Sequence, residues 1–558
     1  MNEKSTEVSE EIVKAFLKSL FEKGVRLWLH ESRLCYSVQK GALTPDDIEA
    51  LKRYRSEVFT LLDKARSVTN ADLQPHRRPF LDEAPATFSQ VAHWNHYQLR
   101  TRGSVRQVAV AIRLTGTLSP EELEKSATKL IKRHEALRTN LVEISGDLRQ
   151  QISQTAEFVL DLEDLSGLSK IEQDFEVTRQ ISDFVAQAIN PARDRLFAMR
   201  LLRIQENIHV LIVAMDHLIS DGVSLGILVR ELFGIYAHGL RNEPYQLPPV
   251  PVQLGDYAAW QRNTHKSWRE QHDSYWSKRL AGSRAARFRA DRNNSEIGWG
   301  RVVLRIEAPL KTRLQRWSKE RGATLAMSVF TGYVVAVLSW CEATDAVFQF
   351  QIDGRVSPQL QSTIGYIASA LCLRVTVLEG DSFVDLLKKV IDEYCSAHSH
   401  ADSSYFAAGN LQPEITKATL FNWVPRVADS VSPVLADTQG LAASVIEFEH
   451  PMFKTMDSND EPALVLSDEG ETILVECLFS NRRHSAGLMR QFTELFINYV
   501  TEMTERPDKS IGSGVFPSLR ERSRGNLAGA SHDATPEPAR AYERTQRINV
   551  RTAKEQRR

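Results

Sequence analysis

The run Val210-Leu211-Ile212-Val213-Ala214-Met215 is apolar without alternation, the pattern of a strand covered on both faces. Just beyond it, Gly222 opens a segment whose large apolar residues recur at Leu225, Leu228, Leu232 and Tyr236, which is helical spacing. Residues 196–204 and 209–215 read as two strands joined by Gln205-Glu206-Asn207. Upstream, 89–100 predicts a helix, 105–115 a strand, and Ser119-Pro120-Glu121-Glu122 the start of a capped helix that ends near His134. Downstream, 311–321, 328–340 and 383–398 have helical periodicity, whereas 301–306, 346–352 and 472–479 read as strands. Two mixed α/β halves of about 200 residues each exceed one small-domain core, so the pattern predicts two lobes, 81–255 and 256–518, with a cleft between them.

The first 65 residues have a separate pattern. Residues 10–23 predict an amphipathic helix stopped by Gly24, and 25–29 and 33–38 alternate around His30-Glu31-Ser32 as a β-hairpin. Thr44-Pro45-Asp46-Asp47 then starts a second helix through Leu51, Val58 and Leu62. Such an αββα unit has a marginal core and an open sheet edge, to which an extended peptide can add as a strand. Residues 66–80, with Pro75-His76-Arg77-Arg78-Pro79, read as a linker. Residues 519–558 are poor in large apolar side chains. From Arg520 on they carry ten Arg or Lys against five Asp or Glu, the composition of a disordered basic tail.

Composition narrows the function by exclusion. A formal net charge of −1 over 558 residues leaves no whole-protein field to recruit nucleic acid or a membrane. The five cysteines, Cys35, Cys341, Cys372, Cys395 and Cys477, lack metal-ligand spacing and suit reduced thiols in a cytoplasmic protein. The polar start Met1-Asn2-Glu3-Lys4-Ser5 has no apolar signal core, and the apolar run 333–341 is too short to span a bilayer. Gly380-Asp381-Ser382 precedes an amphipathic helix and reads as an N-cap rather than as a carrier serine. The sequence shows no adenylation signature and no useful phosphate loop, so the chain is not expected to load its own substrate.

The candidate chemistry lies in Met215-Asp216-His217-Leu218-Ile219-Ser220-Asp221-Gly222-Val223-Ser224, which puts His217 in the turn between a buried strand and a helix. A side chain there can project into a cavity while strand and helix fix its backbone. An imidazole titrates near neutral pH and can move a proton between a nucleophile and a leaving group, or simply position the nucleophile. Asp221, a carboxylate in a buried turn, is costly unless paired, so a structural anchor is expected. Gly222 would allow close backbone approach, or would only satisfy a helix start.

Around this segment stand, in order, Arg133-His134-Glu135-Ala136-Leu137-Arg138-Thr139, Gly255-Asp256-Tyr257-Ala258-Ala259-Trp260-Gln261-Arg262 and Ile364-Gly365-Tyr366-Ile367-Ala368-Ser369-Ala370-Leu371-Cys372-Leu373-Arg374. With these residues the chain closely resembles the condensation domains of nonribosomal peptide synthetases over about residues 80 to 517. The resemblance implies an α/β fold of two chloramphenicol-acetyltransferase-like lobes in a V-shaped pseudo-dimer, preceded by the small αββα domain. It implies His217 as the catalytic group and an ion pair of Asp221 with Arg355, with Arg138 as the reserve partner. Asp216, Ser224, Arg138, Trp260 and Ser369 would line the tunnel or acceptor site. The N-terminal unit resembles the β-hairpin, TubC-type docking domains of such enzymes, with Arg26, Trp28, Arg33, Tyr36 and Lys40 as contact residues.

The implied function is transfer of an acyl chain from the phosphopantetheine thioester of an upstream acyl or peptidyl carrier protein to an amine or hydroxyl. The product would be an amide or ester in nonribosomal peptide or hybrid polyketide biosynthesis, with chain release as one outcome. The acceptor would be carrier-bound or a free small molecule. The protein itself would bind no metal or redox cofactor and act as a cytoplasmic monomer. Three departures bear on this. Asp216 stands where condensation domains usually carry a first histidine, and Asp216, Asp221 and Ser224 also spell the pattern of heterocyclisation domains. Ala368-Ser369-Ala370 replaces the usual Val-Asn-Thr, and His400-Ala401-Asp402-Ser403-Ser404-Tyr405 only weakly resembles His-Gln-Asp-x-Pro-Phe. Heterocyclisation and a non-catalytic docking scaffold are the alternatives.

Overall fold

A computed structural model describes residues 82–99, 107–293, 295, 298–355, 357–401, 415–424, 440–450 and 461–511. Near the N-terminus it describes 26–30, 33–37 and 45–54, with positions 13, 16, 17, 20, 57, 58, 75 and 78. Lys40, the tail 519–558, most of the linker 66–80 and the segment 402–405 lie outside the described residues, as do the side chains of Arg26, Trp28, Arg33 and Tyr36.

In the N-terminal unit, strands Arg26–His30 and Arg33–Ser37 pair antiparallel, with Arg26 opposite Ser37 and His30 opposite Arg33. The helix Pro45–Arg53 follows, and Val13, Leu20, Leu51 and Val58 are buried. Phe16 meets Tyr54 edge to face, their ring centroids 5.7 Å apart.

Two larger sheets organise the rest. The first has five strands in the order Ala442–Ile446, Gln107–Thr115, Ile208–Asp216, Phe197–Gln205 and Asp161–Asp164. Its central strand Ile208–Asp216 has eight consecutive buried residues, because the helix Gly222–Leu240 belongs to the core on one face and the helix Lys170–Ala186 to that on the other. Gly222–Leu240 has the length and hydropathy of a membrane span, and 67% of its most apolar stretch is buried in the protein.

The second sheet has six strands in the order Trp299–Ile306, Ile473–Ser480, Ala463–Asp468, Leu420–Val424, Asp345–Ile352 and Ser369–Thr376. Its core holds the helix Leu325–Trp340, which is buried without interruption from Met327 to Leu338, as suits a helix apolar on every side. Ser382 caps the helix Phe383–His398 in a reciprocal box with Asp385.

The two sheets are stitched together by the chain itself. Strand Ala442–Ile446 follows four strands of the second sheet in sequence, yet it pairs antiparallel with Gln107–Thr115 of the first. At this crossing Gly116 has φ +131°, and a Cβ there would sit 2.0 Å from the Gly440 carbonyl oxygen, so only glycine fits. The 27-residue helix Leu254–Leu280 belongs to both cores, with Tyr257 and Trp260 in the first and Trp276 and Leu280 in the second. At its start Arg78 donates to Asp256 at 2.9 Å and to Glu135 at 2.8 Å, all three buried, so the end of the segment read as a linker is clamped into the fold.

Candidate active site

The site is built around a turn. Strand Ile208–Asp216 ends as the Asp216 carboxylate accepts the Leu218 N–H at 2.9 Å, while its backbone carbonyl accepts the Ile219 N–H at 3.0 Å and the Ser220 hydroxyl at 2.9 Å. These bonds hold His217 at the crest, half-buried, with Nδ1 2.8 Å from the Ser220 carbonyl. A carbonyl only accepts, so Nδ1 carries the hydrogen and a neutral ring presents its lone pair on Nε2. Among the described residues Nε2 makes no hydrogen bond.

Asp221 closes the turn and caps the helix Gly222–Leu240. Its carboxylate accepts six hydrogen bonds: from the Ser224 N–H and hydroxyl at 2.8 Å each, from Arg355 at 2.9 and 3.0 Å, and from the Ile367 and Ala368 N–H groups at 3.2 and 3.1 Å. Burial alone would push the carboxyl up, but the Arg355 guanidinium and these bonds outweigh it and hold Asp221 below its ordinary 3.8. Arg355 also donates to the Thr363 carbonyl at 3.0 Å and to Ser224 at 3.1 Å. The pair thus joins the first-sheet turn to the loop after the second-sheet strand Asp345–Ile352.

The structure therefore brings together His217, Asp221, Gly222, Ser224 and Arg355, with Ser369 half-buried one residue beyond Ala368. Among the described residues nothing lies within 4 Å of where a Cβ on Gly222 would sit, so none of them demands glycine there. Ser224 is buried and turned to Asp221 and to Gly365, whose N–H donates to its hydroxyl at 3.0 Å. Asp216 is 1% exposed and bonded within its turn. Trp260 is buried against Tyr257 in the core, 5.7 Å between centroids, and Arg138 donates to the Ser153 carbonyl. In the Arg-His-Glu segment, buried His134 is 2.8 Å from Glu231, and Glu135 takes Arg78, so both side chains serve internal pairing.

Three neighbours escape a reading of the sequence. Gln90, in the first turn of the helix Phe88–Leu99, donates to the Leu218 carbonyl at 2.7 Å. The Tyr366 ring lies 4.5 Å from the His217 ring, and the His93 ring 5.4 Å from it. Burial, and then the Asp221 charge, push the Tyr366 phenol up to about 12, so it stays a neutral hydroxyl at physiological pH. A signal was present for Gln90 and His93, which lie on one face of the predicted helix, and for Tyr366, which stands in a quoted segment. Nothing local ties them to His217. Among the described residues no group of three or more His, Cys, Asp or Glu is placed to hold a metal ion.

Comparison with known proteins gives concordant results. The condensation-domain family matches residues 81–523, and the TubC N-terminal docking domain family matches residues 13–64. A linear gramicidin synthase of Brevibacillus parabrevis is 26% identical over 436 residues, covering 76% of this chain and 6% of that protein. Bacitracin synthase 2 of Bacillus licheniformis is 25% identical over 422 residues, covering 74% of this chain and 15% of that protein. The chain thus spans only a small part of these relatives. Among solved structures, the X-domain from teicoplanin biosynthesis in complex with OxyB aligns with a TM-score of 0.66 and 19% identity, covering 79% of this chain and 97% of that one. The first condensation domain of the calcium-dependent antibiotic synthetase, bound to a substrate analogue, aligns with a TM-score of 0.63 and 17% identity, covering 77% and 99%.

Proposed function

The chain belongs to the condensation-domain family, and from that membership we propose that it transfers an acyl chain from a carrier-protein phosphopantetheine thioester to an acceptor amine or hydroxyl, acting in the cytoplasm in peptide or hybrid polyketide biosynthesis. The observation that carries this reading is the state of His217. Its Nδ1–H is bound to the Ser220 carbonyl, which leaves the Nε2 lone pair of a half-buried ring to take a substrate proton.

The acceptor attacks the thioester carbon, its proton passes to Nε2 of His217, and the tetrahedral intermediate expels sulfur, which takes the proton back as the carbon–sulfur bond breaks. Asp221 and Arg355 act at one remove by fixing the turn that aims the ring. The phosphopantetheine arm belongs to the partner and is substrate here. The docking family at residues 13–64 supports an upstream carrier-bearing protein as that partner. The relatives' names, gramicidin and bacitracin synthases, support an antibiotic-type peptide product. Asp216 and Ser224 make internal bonds of the turn and helix start, which favours condensation over heterocyclisation.

Replacing the imidazole tests the reading. His217→Ala should lower the rate of acyl transfer from a loaded carrier by roughly 10²–10⁴-fold, the usual worth of a positioned acid–base group. Its circular dichroism and melting temperature should stay near those of the parent. Undiminished product formation by this variant would point to a docking scaffold instead.

A further inference from the structure

We propose that Tyr366 is a positioning residue of this site, whose ring holds the His217 imidazole in its reactive orientation and makes that orientation depend on the seating of one sheet's turn on the other's. The inference rests on the role given to His217 above. Among the described residues the imidazole has one hydrogen bond, from Nδ1 to the Ser220 carbonyl at 2.8 Å. A single bond to an acceptor three residues on fixes a direction but leaves the ring able to tilt about it, so the remaining restraint must come from what the ring touches. The Tyr366 ring lies 4.5 Å away by centroids with the planes at 53°, against 5.4 Å for the His93 ring. That separation is the near end of the range for packed aromatic rings. The Tyr366 hydroxyl makes no hydrogen bond among the described residues, so the part of this side chain that the protein engages is its ring.

Tyr366 can act as a stop because its backbone is pinned on both sides. Before it, the Gly365 N–H donates to the Ser224 hydroxyl at 3.0 Å, and a Cβ on Gly365 would sit 2.4 Å from the Leu254 side chain, so the turn lies hard against the helix Leu254–Leu280. After it, the Ile367 and Ala368 N–H groups donate to the Asp221 carboxylate at 3.2 and 3.1 Å. The far edge of the Tyr366 ring is met by His93, 5.7 Å away with the planes at 85°. All the hydrogen bonds run to the first-sheet turn that carries His217, whereas Tyr366 itself stands between the second-sheet strands Asp345–Ile352 and Ser369–Thr376. The stop is in place only while the two turns are fastened together. The Asp221–Arg355 pair thereby orients a ring that it does not touch. The orientation matters because Nε2 must meet first the acceptor's proton and then the sulfur, and a misplacement of about 1 Å costs on the order of 10²-fold in rate.

The test pairs transfer kinetics from a hexanoyl-loaded carrier protein with imidazole nitrogen NMR of the full chain labelled in histidine, the His217 signals being assigned by their loss in His217→Ala. Tyr366→Phe keeps the ring and should hold kcat within about twofold, with His217 still a single Nδ1–H tautomer. Tyr366→Leu keeps apolar bulk at the seam without a flat face, and Tyr366→Ala empties the place. Both should lower kcat about 10–100-fold, leave KM for the loaded carrier within about twofold, and show His217 as a mixture of Nδ1–H and Nε2–H tautomers. Unchanged kcat, a raised KM in its place, or a single Nδ1–H tautomer in the Leu and Ala variants would each overturn the proposal. A loss in Tyr366→Phe equal to that in Tyr366→Leu would overturn it in favour of the hydroxyl as a donor to substrate. Each of these results leaves the proposed function standing, provided His217→Ala abolishes transfer. A parent inactive with every amine and alcohol, or a His217→Ala variant as active as the parent, would remove the reading on which the proposal rests.

Discussion

At the scale of single residues, the organising interaction is the pair of Asp221, 2% exposed, and Arg355, 3% exposed. Removing one partner leaves the other charge buried and alone, so Asp221→Ala or Arg355→Ala should each cost about 3–5 kcal/mol in urea unfolding. Arg355→Lys should not restore it, because an ammonium cannot reproduce the paired bonds at 2.9 and 3.0 Å. The acid side follows from the depressed Asp221 carboxyl. Its stabilising contribution is complete above the ordinary 3.8 and is lost as pH falls through the lower folded value, so Asp221→Asn should flatten the acid limb of the stability curve. The sequence exposes some of this chemistry and hides the rest for one reason, distance along the chain. His217 and Asp221 are four apart after an apolar run, so their common turn is legible. Arg355 is 134 positions from Asp221 and is named only through a family likeness, while Tyr366 and His93 meet His217 through packing that no local pattern encodes.

At the scale of elements, periodicity locates strands and helices well but not their partners. The helix predicted from Ser119 to near His134 runs Pro120–Arg133, with Ser119 as its cap. The strands predicted at 301–306 and 346–352 run Trp299–Ile306 and Asp345–Ile352. Alternation says nothing of which sheet a strand joins, and Ala442–Ile446 crosses to the first sheet through pairings more than 300 residues apart in sequence, such as Val445 with Ile112. Gly116 controls that crossing. Gly116→Ala would drive a methyl against the Gly440 carbonyl and strain a φ of +131°, so hydrogen exchange should show lost protection in 442–446 while 345–352 stays protected. Equal protection in parent and variant would show that the crossing strand does not depend on this contact.

At the scale of the whole molecule, the chain joins a docking family at residues 13–64 to a condensation-domain family at residues 81–523. Docking raises the local concentration of a tethered donor without adding any contact at the site. Removing residues 1–65 should therefore raise the carrier concentration needed for half-maximal transfer about 10–100-fold, leave kcat within twofold, and be offset by excess carrier. The seam proposed for transfer is built from both sheets, His217 and Asp221 from the first, Arg355 and the 365–368 turn from the second. The central claim is that the His217 imidazole moves the proton of an acyl transfer at this seam. It is tested most directly by intact-mass spectrometry of an acyl-loaded carrier bearing the upstream docking motif, incubated with the protein or with His217→Ala and a panel of amines and alcohols. The account predicts that the parent strips the acyl mass from the carrier and delivers it to an amine or alcohol, while the variant leaves the carrier loaded. Equal transfer by both proteins, or a carrier that stays loaded with the parent and every acceptor, would contradict it.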